Sequence, residues 1–385
     1  MNSASARMYW VDNLRTFLIL LVVNIHACVT YSHVGSWYYM VDPDPAMPVK
    51  LVFAVWQGHL QSFFMGLLFF LAGYFADRSL TRRGTRSFLA ERWRRLGIPT
   101  LIFMLLIHPF VLLALNPWHA TFAPFLTWYR TYLASWKFLG SSGPLWFAFA
   151  LLIFSAVLAG VRGGKRAAPL PDRSAAPQSI RLTAAKILLS GAGLATASFL
   201  VRTVQPIGTN ILNFQLCFFP QYIFAFVFGL VVSRRDGLQA IARSPVALRA
   251  GKIALVAGPI ALIAISIAGG PVSEHGVNQY FGGWHWQSLA LALWEQVTGV
   301  CLALGAMAWF ARNLDREGPV LKWLSDRSFA VYVVHTPVLV AITMQIARFG
   351  GNIFVMAGIL TVLALVGSYV AADLVRRIPG AREVL

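Results

Sequence analysis

The chain has 385 residues, 58% of them hydrophobic and only 12% charged, with a mean hydropathy of +0.65; soluble domains run at about 45–50% apolar and about 25% charged, which excludes the ordinary soluble class. Its net charge of +18 comes from 32 Lys and Arg against 14 Asp and Glu. These cations sit in short runs between apolar stretches, as in the loops of a membrane protein, and form no continuous basic face of the kind that binds nucleic acid.

A hydrocarbon core about 30 Å thick needs roughly 20 residues of helix to cross it. Runs of that kind predict spans at 13–33, 51–75, 97–115, 143–161, 187–204, 211–233, 252–269, 286–311, 328–347 and 352–375. The first, although it follows Arg7, carries Asn24 and His26 and precedes no small-residue cleavage site, so it reads as a retained helix and not a signal peptide. Region 120–139 is aromatic but polar and reads as an interfacial or re-entrant segment. Segment 162–186, rich in Gly, Pro, Ala and Arg, reads as a flexible cytoplasmic linker within one membrane domain covering 1–385. The tryptophans of GGWHWQ (282–287) suit the aromatic belt of an outer interface. Cys28, Cys217 and Cys301 lie scattered inside apolar runs, without the spacing of a metal site or a disulfide framework.

Orientation follows from counting cations loop by loop. Seven fall in 76–96, six in 162–186, five in 234–252, four in 312–327 and three after Asp373; with Arg7 and Arg15 this accounts for 27 of 32. They occupy alternate connections, which puts both termini and every basic loop in the cytoplasm. The expected fold is all-α, a polytopic bundle of about ten membrane-spanning helices.

Ionisable groups within such helices are costly and point to function. Arg15 and His26 are eleven residues apart, which puts them about 20° from a common helix face and about 16 Å apart along the axis. Asp12 lies one turn before Arg15. The second helix carries Gln57, His59 and Gln61, and the eighth carries Glu295. Tyr332 and His335 share a face of the ninth, just before Pro337. Each of these groups, taken singly, can be interhelical glue. Taken together they place several proton-active groups inside the bundle, as a general-base site or a proton pathway would. On the basic side, Arg92 and Arg95 stand one turn apart ahead of Gly97–Pro99, where guanidinium forks suit phosphate oxygens; plain topological anchoring and contact with anionic lipid account for the same residues.

The ordered motifs RTFLILLVVNIH (15–26), FFLAGYF (69–75), RWRRLGIP (92–99), Leu145-Trp146-Phe147 and SFAVYVVHTPVL (328–339) resemble the acyltransferase-3 family of integral membrane acyltransferases across nearly the whole chain. Two positions depart mildly from the family pattern: Ala72 stands in place of the usual Ser, and Val333-Val334 in place of the commoner Leu residues. The R-L-G-I-P ending of the basic loop, with no fused extracytoplasmic domain, is similar to the branch that succinylates periplasmic glucans.

The resemblance implies ten-helix proteins that move an acyl group from cytoplasmic acyl-CoA to hydroxyls, commonly of extracytoplasmic carbohydrate, with acyl-CoA as co-substrate and no metal or other cofactor. Carried over by position, the family's activity-bearing Arg and His fall on Arg15 and His26. Its paired arginines fall on Arg92 and Arg95, and its late Tyr–His on Tyr332 and His335. On this reading Arg15, Arg92 and Arg95 hold the phosphates. His26 acts as general base on the acceptor hydroxyl or carries the acyl group covalently. Glu295 or His335 assists His26, with Asp12, Gln61 and Tyr332 in support. The rival reading is a proton-coupled transporter, which also needs inward His and Glu but should show internal repeats and paired broken helices.

Overall fold

Hydrocarbon offers a backbone no hydrogen-bonding partner, so a crossing segment must satisfy its own amides within a helix. The apolar runs obey this rule. The computed structural model describes residues 7–116, 122–163, 180–235, 237–270 and 278–385. Among them, ten helices are long and apolar enough to cross a membrane: α1 Tyr9–Ser32, α2 Met47–Arg83, α3 Thr85–Leu115, α5 Gly143–Arg162, α6 Ala184–Arg202, α7 Leu216–Arg234, α8 Pro245–Ala268, α9 Trp286–Asn313, α10 Pro319–Ile346 and α11 Ile353–Val375. A further helix, α4, covers Phe122–Ala134. Among the described residues, β-structure is confined to one bridge between Ile211 and Phe214. The all-α, multi-pass architecture agrees with the expectation. Most of the linker expected at 162–186 lies outside the described residues.

The first basic connection, at 76–96, differs from a loop. α2 runs on to Arg83, only Gly84 (φ +75°) interrupts it, and α3 starts at Thr85. Arginine is a good helix former whose long stem carries its charge out to the polar boundary, so a run of arginines continues a helix where hydropathy alone ends it. At 37 residues, α2 is about 55 Å long and overreaches the hydrocarbon.

Within α3, two π-helical turns, Trp93–Gly97 and Phe103–Ile107, each end just before a proline, Pro99 and Pro109. Proline lacks an amide hydrogen and crowds the carbonyl one turn back, and a widened turn absorbs both defects. The polar segment at 120–139 serves this site: α4 sends the Tyr132 hydroxyl to the Met104 carbonyl and the Tyr129 hydroxyl to the Leu105 carbonyl, each at 2.7 Å.

α2 is the central helix, packing on α7, α9 and α1, while α6 and α8 lean on α9, and α10 and α11 pair beside α1. Small residues let these backbones approach. A Cβ at Gly73 or Gly229 would run into the facing backbone of α7 or α2, and Gly251 of α8 lies against Gly305 of α9.

Ion pairs gather the arginine-rich ends at one end of the bundle. The buried Asp77 of α2 meets Arg162 of α5 and Arg234 of α7. Arg94 meets Glu383 at 3.1 Å, and Arg327 with Arg377 brackets Asp373. The start of α1 joins the same end, since Asn13 donates to the Leu314 carbonyl at 2.8 Å. Both described chain ends therefore lie at the arginine-rich end.

Candidate active site

α1 carries Arg15 and His26 on one unbroken helix, so the spacing of about 16 Å along the axis stands. At the His26 level, α10 brings His335 alongside: its Nε2 lies 3.2 Å from His26 Nδ1, and the rings stack with centroids 5.2 Å apart. His335 Nδ1 in turn lies 2.7 Å from the Tyr332 carbonyl oxygen.

That carbonyl decides the tautomers, because it can only accept. His335 Nδ1 must hold a hydrogen, so the neutral His335 ring offers a lone pair at Nε2. His26 must then donate from Nδ1 to that lone pair. The lone pair of His26 is left on Nε2. His335 is fully buried, whereas His26 is only partly covered, so the ring with the free lone pair is the accessible one.

Trp37 stacks on His26 at a centroid distance of 4.0 Å and lies 6.2 Å from the His335 ring, so the three rings form one cluster. Trp37 belongs to the α1–α2 connection, which folds back over the bundle. His33 caps α1 in the left-handed region (φ 54°), and its Nε2 donates to the Val41 carbonyl at 3.0 Å. Asp44 lies 3.2 Å from His33 Nδ1 and accepts from Lys50 Nζ at 2.6 Å, and the Tyr38 hydroxyl meets His108 Nδ1 at 2.7 Å. Gln57 of α2 is tied to the same turn through the Ser32 hydroxyl at 2.9 Å. Tyr332 does not reach the imidazoles with its hydroxyl, which donates to the Pro144 carbonyl and fixes α10 against the start of α5.

At the arginine-rich end, Arg92 lies within electrostatic reach of Arg15, Arg95 and Arg83. Arg83 is paired with Glu91 at 2.8 Å. Among the described residues, no carboxylate forms an ion pair with Arg15, Arg92 or Arg95. The Arg15 guanidinium lies over the Phe75 ring (4.4 Å) and that of Arg92 over Phe88 (5.1 Å), with Arg92 Nε buried and unpartnered. Guanidinium groups this close together can bind an anion; Glu91 acts electrostatically on Arg92 and Asp12 on Arg15.

The remaining sequence candidates lie elsewhere. Asp12 is paired with Arg7 at 2.9 Å. Gln61 donates to the Tyr222 hydroxyl at 3.2 Å. Glu295 is buried against Arg202 and receives a hydrogen bond from Gln296 at 3.2 Å. The structure thus joins His335 to His26, and Glu295 to Arg202. Arg202 was legible as one of five cations outside the basic runs, and a buried cation demands a buried anion. Trp37 carried no sequence signal separating it from interfacial tryptophans. Trp284 (77% exposed) and Trp286 stand on the surface of the bundle.

A family model described as an acyltransferase domain, of the acyltransferase-3 type, matches residues 8–373. Glucans biosynthesis protein C of Salmonella paratyphi B, of Salmonella dublin and of Salmonella enteritidis PT4 is in each case 26% identical over 246 residues. The match covers 62% of this chain and 62% of each relative, so it spans less than two thirds of their length. No solved structure matches.

Proposed function

The chain belongs to the acyltransferase-3 family of multi-pass membrane acyltransferases, and from that membership we propose that it moves an acetyl or succinyl group from cytoplasmic acyl-CoA to a hydroxyl of an extracytoplasmic carbohydrate. The location proposed is the bacterial inner membrane, with the arginine-rich end inward as the cation count favours. The similarity to proteins named for glucan biosynthesis makes a glucan the first acceptor to try.

The observation that carries the reading is the pairing of His26 with His335 on the same helix as Arg15 and about 16 Å from it. Arg15, Arg92 and Arg95 hold the phosphates of CoA, with acyl-CoA serving as co-substrate. The extended arm then carries the thioester inward toward His26. The lone pair on His26 Nε2 removes the acceptor's hydroxyl proton as the oxygen forms its bond to the thioester carbonyl carbon. The carbon–sulfur bond breaks, and the departing thiolate recovers the proton. His335 holds the His26 tautomer through Nδ1, and the cationic ring formed in the step is stabilised by the same contact and by the face of Trp37.

The test is release of free CoA by the purified protein from acetyl-CoA or succinyl-CoA, with and without a glucan oligosaccharide, and mass analysis of the glucan. A glucan-dependent release that yields an ester supports the reading. No release with either donor sinks it.

A further inference from the structure

A second cavity lies away from the histidine pair. α6 packs chiefly on α9 and α7 chiefly on α2, so these two consecutive helices leave a gap between them, floored by α2 and α9. The gap has a volume of about 490 Å³, within the range of roughly 300–1,000 Å³ usual for ligand sites. Its walls are apolar, among them Phe63, Phe70, Leu194 and Phe228. Its rim includes Leu189 (73% exposed) and Phe224 (40% exposed), so it opens sideways, where hydrocarbon would lie.

Charge is confined to one end of this groove. Arg181, Lys186 and Arg235 line its mouth at the arginine-rich end. No carboxylate lines the cavity or is paired with any of the three among the described residues. Lys186 spends one donor on the Arg181 carbonyl (3.1 Å), which holds two of the cations together. The deep end is closed by Gln221, anchored through Nε2 on the Ser62 carbonyl at 2.6 Å. From Arg235 to Gln221 is fourteen residues of α7, about 21 Å of groove. That exceeds half of a hydrocarbon core of about 30 Å, so the groove has the depth of one leaflet's acyl chain.

We propose that this groove is a binding site for one anionic phospholipid, with its phosphate on Arg181, Lys186 and Arg235 and one acyl chain laid between α6 and α7. The charge pattern selects the occupant. Among the described residues these three cations have no carboxylate partner, so a lipid of net negative charge compensates them better than an uncharged or zwitterionic one, and a free soluble anion would leave the apolar groove unfilled. The lateral opening admits a ligand already dissolved in the bilayer, so the chain enters without first crossing water. This site shares no residue with the histidine pair or with Arg15, Arg92 and Arg95, and the inference stands independently of the proposed reaction.

Native mass spectrometry of the full chain, released from nanodiscs containing equal phosphatidylglycerol and phosphatidylcholine of the same chain length, reads the outcome directly. One phosphatidylglycerol should remain bound, at least about tenfold in excess over phosphatidylcholine. Combined Arg181→Gln, Lys186→Gln and Arg235→Gln should weaken its retention by roughly a hundredfold, since each basic residue near a lipid phosphate is worth about a factor of five. Ala225→Phe, which fills the groove and keeps the cations, should remove the lipid as well. Ser190→Leu on the opposite wall replaces it should that variant lose its single peak in size-exclusion. Equal retention of the two lipids, or retention unchanged by the charge variants, overturns the proposal. So does displacement of phosphatidylglycerol by acetyl-CoA, which would make the groove a passage for the acyl donor.

Discussion

Replacing His335 by leucine separates the two imidazoles by chemistry alone. The substitution keeps the bulk and burial of the site but removes the Nε2 lone pair that lies 3.2 Å from His26 Nδ1. The His26 N–H that faced His335 then loses that acceptor. The His26 ring is also free to adopt the other tautomer, in which Nε2 carries the hydrogen and offers no lone pair to a hydroxyl. Leaving a buried donor short of its partner costs about 1–3 kcal/mol. At about 1.4 kcal/mol per tenfold in rate, the turnover number should fall roughly 5- to 150-fold. Donor binding should not change, because the arginine cluster lies about 16 Å away along α1. His335→Gln, whose amide oxygen can occupy nearly the position of Nε2, should restore much of the rate. The assay is steady-state CoA release at saturating acceptor, with kcat and the KM for acyl-CoA measured separately. A His335→Leu enzyme with wild-type kcat, or one whose only defect is a raised KM, would refute the tautomer argument and leave His335 a packing residue.

Other expectations follow from the same geometry. His26→Ala should lower turnover by about 10²–10⁴, the usual worth of a general base, with acyl-CoA binding intact; His26→Asn, polar but not basic, should do no better. Calorimetric binding of acyl-CoA should weaken in Arg92→Lys and in Arg95→Lys, because lysine cannot reproduce a bidentate guanidinium contact with phosphate; unchanged binding in both would reduce the cluster to an anchor. Gly229→Leu should collapse the yield of monodisperse protein in size-exclusion, since any Cβ there meets the backbone of α2 near Phe70 and Tyr74. For single cysteines in intact cells, a membrane-impermeant thiol reagent should label positions beside Asp44 and Gly283 but not beside Arg83 or Arg316; labelling near Arg83 would invert or break the ten-span topology.

Much of the architecture was written in local chemistry. An apolar run of about 20 residues has one stable conformation in hydrocarbon, so ten helices were legible from hydropathy, and the mismatches fall at their basic ends, where arginine extends a helix that hydropathy terminates. The common face of Arg15 and His26 was equally legible, because helical periodicity relates residues within one segment. Which helix answers His26 was not. His335 is 309 positions away and Glu295 is nearer in the chain, yet packing gives His26 the first and gives Glu295 to Arg202. Nor did periodicity single out Trp37, whose place over His26 depends on a left-handed residue at His33 and on anchors from Asp44 and Lys50. The groove between α6 and α7 had no sequence signature at all. It exists because α6 prefers α9 and α7 prefers α2, a choice made by small residues such as Gly191 and Gly229 that let particular backbones meet. Segment by segment, solvent selects the secondary structure; contacts between segments depend on shape and on finding a partner for each buried charge or ring nitrogen, and those conditions are met only once the helices are assembled.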